Sequence, residues 1–389
     1  MSKFLNPKLA GLDVYTPGEQ PKNMEYIKLN TNESPYPPSP EVIAAVNAQE
    51  VSDLRLYPDP ECTALKDKIA AQFKIKRENI YLSNGSDDIL NFAFMAFAGD
   101  GRRAWFPEIS YGFYPVYADL YQIDAVQVPL QNNFSINPLD YCNLPEKGGL
   151  ICIANPNAPT GLAMSLSQIR LILEANPDKV VLIDEAYVDF GAASAVSLTR
   201  EYENLLVVQT FSKSRSMAGA RLGFAIANAS LIADLDRIKY STNPYNINRL
   251  TLVAAEAAID SSEYYAANCM QIMETREYTA SALEALGFTV IPSLTNFLFA
   301  KSAQLDGGVL YEELKARGVL IRHFSKESIK DYNRITIGTR EQMDVMLEKI
   351  KEILPAADGH SIRADAGDAG ACAGVDAAAG EGAPVNKEV

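Results

Sequence analysis

The 389 residues carry 35 Lys and Arg against 49 Asp and Glu, a formal net charge of −14. A chain of this length implies two or three domains with enough apolar content for sizeable cores. The acidic balance argues against nucleic acid or an anionic membrane face as partner, since each demands a basic surface. Cys62, Cys142, Cys152, Cys269 and Cys372 are scattered and form no CxxC pair, so no metal site is expected and a reducing compartment fits. Met1 to Ala10 lacks an apolar signal core, and no stretch approaches the ~20 apolar residues of a membrane span, so a soluble, cytoplasmic protein is expected.

Residues 1–30 are rich in turn formers and read as an N-terminal arm ending in Ile27-Lys28-Leu29-Asn30. Pro35, Pro37, Pro38 and Pro40 follow at a density that reads as an ordered linker rather than a helix. From Asn79 short β-rich runs alternate with helical segments: Ile80 to Leu82, the helical Ser86 to Ala98, Ala104 to Phe106 and Ile123 to Val128. Gly149 to Ala154, Lys179 to Ile183, Leu205 to Gln209 and Gly223 to Ala227 continue the series. That alternation predicts an α/β architecture, a mostly parallel sheet covered by helices on both faces, over residues 31–265. Asn246 to Leu286 is strongly helical and able to join two domains, and 266–354 reads as a smaller α+β unit. Residues 355–389 collapse into Ala, Gly and Asp, a tail expected to be disordered.

Three segments carry chemistry. Gln209 to Gly223 follows a predicted strand and sets Lys213 among hydroxyls, glycines and arginines, where cations can lower the pKa of an amine nucleophile; alone, it reads better as a solvated basic loop. Val180-Val181-Leu182-Ile183-Asp184-Glu185-Ala186-Tyr187 puts an acid at the carboxyl end of a buried strand, where open α/β sheets bind ligands, although such acids also cap helices. Asn155-Pro156-Asn157-Ala158-Pro159-Thr160-Gly161 follows another apolar strand and is otherwise an ordinary turn. Ser86 opens a helix directly after a strand, so the amides of Ser86 and Asp87 can face a phosphate, a role compatible with plain N-capping.

In this order, NPxxPTG, DEAY, and SK followed by R-x-G, the motifs resemble those of pyridoxal 5′-phosphate (PLP) dependent fold-type I aminotransferases. Further segments are similar to the histidinol-phosphate aminotransferase branch: Leu29-Asn30-Thr31-Asn32-Glu33, Leu56-Tyr57-Pro58-Asp59, Gly85-Ser86-Asp87-Asp88, Ser110 to Tyr114, and Arg334 to Arg340. The resemblance covers Lys3 to Leu354 and implies an aspartate-aminotransferase-like fold with a large PLP-binding domain and a smaller α+β domain.

By that resemblance Lys213 holds the cofactor and moves the proton, Asp184 pairs with the pyridine nitrogen, and Tyr187 and Asn157 bond the ring's phenolic oxygen. Tyr111 stacks on the ring, and Ser86, Asp87, Ser212 and Arg221 hold the phosphate. Tyr57 reaches the neighbouring subunit's cofactor, which implies a homodimer with shared sites; read alone, this aromatic before a proline is a buried anchor. Arg322 and Arg334 resemble arginines that grip the substrate's anionic end, Tyr15 the arm tyrosine that closes over it, and Asn32 a further substrate contact. Ala158 departs from the family, which has asparagine there.

The implied activity is amino-group transfer between L-histidinol phosphate and 2-oxoglutarate, in histidine biosynthesis. An aromatic amino-acid aminotransferase, a threonine-phosphate decarboxylase of the same fold, and a non-catalytic PLP-binding regulator are the alternatives.

Overall fold

The computed structural model describes residues 2, 4–12, 18–145 and 147–354. Tyr15 and the expected 355–389 tail lie outside the described residues. In chain order the strands are β1 (Ile27–Lys28), β2 (Ile80–Ser83), β3 (Ala104–Pro107), β4 (Ala125–Val128), β5 (Leu150–Ala154), β6 (Val180–Asp184), β7 (Leu205–Thr210) and β8 (Gly223–Ala227), then β9 (Phe288–Ile291), β10 (Phe297–Ser302), β11 (Val319–Leu320), β12 (Arg322–His323) and β13 (Asn333–Thr336).

β5, β6 and β7 read LICIA, VVLID and LLVVQT and are buried almost throughout. Only a strand covered on both faces by helices can hide so continuous an apolar run. They form the centre of a seven-stranded sheet in the order β2-β8-β7-β6-β5-β3-β4. Every neighbouring pair is parallel except β2 with β8 and β7 with β8, so β8 alone runs against the rest. This reversal has a functional consequence: Gly223, the first residue of β8, is registered against Ser83 and Thr210, the last residues of β2 and β7. The start of β8 therefore lies at the carboxyl edge of the sheet.

β12, β13, β10 and β9 form a second, antiparallel sheet, packed with the helices Ser262–Ala285, Gly307–Ala316 and Arg340–Ile353 around a separate apolar core. The helix Arg249–Asp260 packs instead on Pro40–Ala45 and Thr63–Phe73, and the change of core falls within the Ser262–Ala285 helix, between Tyr265 in the large core and Cys269 in the smaller one.

One expectation is corrected. The proline cluster does not stay free of helix: Pro40 occupies the first turn of Pro40–Ala45, where a missing N–H costs nothing, and the Ser39 side chain caps the Val42 amide. The last residues of the arm dock on the smaller unit, where β1 pairs in parallel with β11 and Leu29 is buried in the smaller core. A two-residue strand is too short to announce itself by periodicity.

The helix Ser86–Phe97 lies on the large sheet with Phe94 fully buried among Phe106, Tyr114 and Tyr117, ring centroids 5.6 to 6.4 Å away. Phe94→Ala should cost ~3–5 kcal/mol through lost burial and a residual cavity. A lowered urea midpoint for the variant checks this.

Candidate active site

The loops leaving the carboxyl edge of the large sheet converge with residues of the arm and of the smaller sheet. Their cleft is lined by Thr31, Asn32, Tyr111, Ala158, Tyr187, Lys213, Arg322 and Arg334. Such a crevice is where open α/β sheets place their ligands.

Next to the cleft, linked to it through Tyr111, is a helix start suited to an anion. The helix following β2 has Gly85 as N-cap (φ 86°), with no side chain capping it, so Ser86 is the first helical residue and not the N-cap. Its first amides carry the positive end of the helix dipole. A Cβ on Gly223 would meet the Ser86 amide nitrogen at 2.4 Å, and one on Gly85 would meet Arg221 Nη2 at 2.7 Å. Gly223 thus permits an approach of strand to helix that any side chain would block, and Gly85 holds a positive-φ backbone that a side chain would strain. Arg221 itself has left-handed backbone (φ 54°) and donates to Asp87 Oδ2 at 2.7 Å, while the Tyr111 hydroxyl donates to Asp87 Oδ1 at 2.7 Å. The Asp87 carboxylate therefore ties Arg221 to Tyr111, a role the sequence did not announce. Ser212, the first residue but one after β7, is buried, and its amide donates to Thr210 Oγ1.

Asp184 ends β6 and is 5% exposed. Burial pushes its carboxyl up to about 6, against the opposing pull of the Tyr114 hydroxyl, which donates at 3.0 Å, and the Ala186 amide at 3.2 Å. Tyr114 lay within a recognised segment, but nothing in the sequence marked it as the partner of Asp184.

Lys213 follows β7; its Nζ donates to the Thr31 carbonyl at 3.2 Å and lies 5.9 Å from the Tyr187 ring centroid. Enclosure, and next the Arg334 guanidinium, bring its ammonium down to about 8. At pH 7 about one molecule in ten then carries the neutral, nucleophilic amine.

Arg322 and Arg334 are directly opposed across the antiparallel β12–β13 pair. Like charges in that relation repel, and an anion between them relieves the cost. Arg334 Nη2 also donates to the Asn30 carbonyl at 2.9 Å.

Asn157 and Asn32 differ from expectation. Asn157 is 1% exposed and saturated by the protein: its Oδ1 accepts from Ser110 Oγ at 2.7 Å, and its Nδ2 donates to the Ile109 carbonyl and Thr160 Oγ1. It has no hydrogen left for a ring oxygen, and the cleft wall at this point is Ala158. Asn32 spends its amide on Thr336 and Tyr187 rather than on the open cleft. Tyr57 is no buried anchor, being 80% exposed and stacked on Tyr245 at 4.5 Å. Among the described residues no cluster of His, Cys, Asp and Glu is arranged to hold a metal, and no helix is long and apolar enough to cross a membrane.

The aminotransferase class I and II family model matches residues 24–350. A histidinol-phosphate aminotransferase from Brachyspira hyodysenteriae is 50% identical over 355 residues, 91% of this chain and 99% of that protein. The chain belongs to the histidinol-phosphate aminotransferase family. Another member, from a Marinomonas species, is 51% identical over 356 residues, 91% of this chain and the whole of that protein. The fold matches the crystal structure of histidinol-phosphate aminotransferase from Sinorhizobium meliloti in complex with pyridoxal 5′-phosphate, with a TM-score of 0.81, 22% identity, and coverage of 91% of this chain and 99% of that one.

Gly223→Ala should push the first turn of the Ser86 helix off the sheet edge while leaving the core folded. At least a tenfold loss in affinity for inorganic phosphate or PLP is expected, roughly the worth of one or two charge-assisted contacts. Equilibrium binding to the cofactor-free protein measures it.

Proposed function

We propose that this chain transfers an amino group between L-histidinol phosphate and 2-oxoglutarate, with PLP attached to Lys213 and roles divided among the residues described above. The observation that carries the reading is the pairing, in one cleft, of a lysine depressed to about 8 with two arginines opposed across a strand pair.

The residues fit the cofactor. The glycine-walled helix start and Arg221 suit its phosphate, the buried Asp184 suits a protonated ring nitrogen, and Tyr111 borders the cleft where a ring face would lie. When bound, PLP supplies an aldehyde that captures amino groups and a ring that accepts the electron pair left when the substrate carbon loses its proton.

The protein's part follows from its own groups. Lys213 Nζ, kept partly neutral by burial and by Arg334, would hold the cofactor's aldehyde and, when released from it, would serve as the base that moves the proton between substrate and cofactor. Asp184, ionised at pH 7 with its carboxyl near 6, keeps the ring nitrogen protonated. The Tyr187 hydroxyl steadies the ring oxygen, a duty that Asn157 does not share. Arg322 and Arg334 receive the phosphate of one substrate and the carboxylate of the other, both of which match a guanidinium fork.

A homodimer accounts for the exposed apolar surface of Ile43, Val51, Leu54, Leu56, Tyr57 and Tyr245. In that assembly Tyr57 serves the partner's site. The division into an arm, a large domain to 265 and a small domain to 354, and a cytoplasmic location, complete the proposal.

Adding L-histidinol phosphate to PLP-loaded protein without a keto acid should remove the visible absorbance of the lysine-bound cofactor, and 2-oxoglutarate should restore it. Response to aromatic amino acids alone would overturn the substrate, and carbon dioxide release without a keto acid would overturn the transfer. Arg334→Ala should lower kcat/KM by roughly thirtyfold or more, the worth of a hydrogen bond to a charged group; steady-state kinetics at fixed ionic strength reads this. If sites are shared, mixing inactive Lys213→Ala with Tyr57→Phe subunits rebuilds one intact site per hybrid, restoring roughly a quarter of wild-type activity. Failure to exceed the sum of the unmixed variants would place Tyr57 outside the partner's site.

A further inference from the structure

Asn32 lines the cleft, yet its polar groups are all engaged by the protein. Its Oδ1 accepts from the Thr336 hydroxyl at 3.0 Å, and its Nδ2 donates to the Tyr187 hydroxyl at 2.9 Å. Its backbone N–H donates to Thr336 Oγ1 at 3.0 Å, and its carbonyl accepts from Asn296 Nδ2 at 2.9 Å. Asn32 and Thr336 are 1% and 2% exposed, so water does not compete for these bonds. The Asn32 backbone is left-handed (φ 56°), a conformation that asparagine adopts more readily than most residues.

The network has a direction. Thr336 Oγ1 already accepts the Asn32 N–H, so its own hydrogen needs an acceptor, and Asn32 Oδ1 is the one it meets. This fixes the amide with Nδ2 toward Tyr187. The Tyr187 oxygen then accepts, and its hydrogen is left to be given into the cleft. With the amide reversed, the Tyr187 hydrogen would turn back to Asn32 and the Thr336 hydrogen would lose its acceptor.

We propose that Asn32 and Thr336 are positioning residues that lock the Tyr187 hydroxyl as a hydrogen-bond donor toward the ring oxygen of the cofactor. The inference rests on the reading of Tyr187 given above. Neither neighbour on the loop after β5 takes over that duty, since Ala158 offers a methyl group and Asn157 is saturated. Thr336 lies two residues beyond Arg334 on β13, hence on the same face of that strand. One strand thereby both grips the substrate's anion and sets the donor at the ring oxygen.

The test is a pH titration of the visible absorbance of PLP-loaded protein, which follows the proton on the Lys213 nitrogen. A hydrogen bond donated to the ring oxygen stabilises the negative charge left there when that proton departs, so losing the bond raises the midpoint. Tyr187→Phe, Asn32→Asp and Thr336→Val should each raise it by about one pH unit, and Thr336→Ser should keep the wild-type value. Asn32→Asp preserves shape and the Thr336 contact, but its second oxygen draws the Tyr187 hydrogen away from the cleft.

The carboxylate also adds charge, so Asn32→Asp is repeated in the Tyr187→Phe background, where no further rise is expected. Midpoints unmoved by Asn32→Asp and Thr336→Val while Tyr187→Phe moves would overturn the positioning role, as would a full additional rise in the double variant. If Tyr187→Phe itself leaves the midpoint in place, the reading of Tyr187 falls and the positioning role with it.

Discussion

Lys213 is enclosed in a cleft where Arg334 is its principal charged neighbour, and both conditions drive its ammonium toward losing a proton. In a chain of net charge −14 this local excess of positive charge is a departure from the average, and it is maintained by the backbone. The β12–β13 ladder holds Arg322 and Arg334 opposite each other, and β7 delivers Lys213 to the same space. Burial first, and then the neighbouring positive charge, keep a fraction of the amine neutral, while the facing guanidiniums suit an anionic substrate group. Substrate charge, amine reactivity and cleft position are thus consequences of one arrangement.

The large sheet makes that arrangement possible by gathering its chemistry at one edge. Six of its strands end there and the reversed β8 begins there, so Ser86, Tyr111, Ala158, Asp184, Lys213 and Arg221 converge although they span well over a hundred residues of sequence. Gly223 shows how tight the junction is, since a single Cβ would strike the first amide of the anion-facing helix. The smaller sheet and the end of the arm close the cleft from the other side through β1–β11 pairing and the Asn32–Thr336 contacts.

The central strands were legible because they are buried on both faces, which forces unbroken β-branched and aliphatic runs with few competing readings. Lys213, Asp184 and Tyr187 were legible because their motifs follow such strands. What stayed hidden depends on partners distant in sequence. The bond from Tyr114 to Asp184 spans 70 residues and that from Thr336 to Asn32 spans 304, and no local pattern encodes either. Asn157 was misread because its neighbours supply Ser110, Ile109 and Thr160, which use up its amide. Pro40 was misread because a helix-breaking residue is harmless in a first turn, and only the Ser39 cap reveals that it stands there.

The most direct test of the electrostatic account is the pH dependence of covalent PLP attachment to Lys213 in the cofactor-free protein, followed at fixed ionic strength in wild type and in Arg334→Ala. The account predicts a rate that rises with pH to a midpoint near 8 in the wild type, and a higher midpoint in the variant, because a neighbouring positive charge has gone. A wild-type midpoint near the ordinary lysine value of about 10.4, or one that ignores the loss of Arg334, would contradict it.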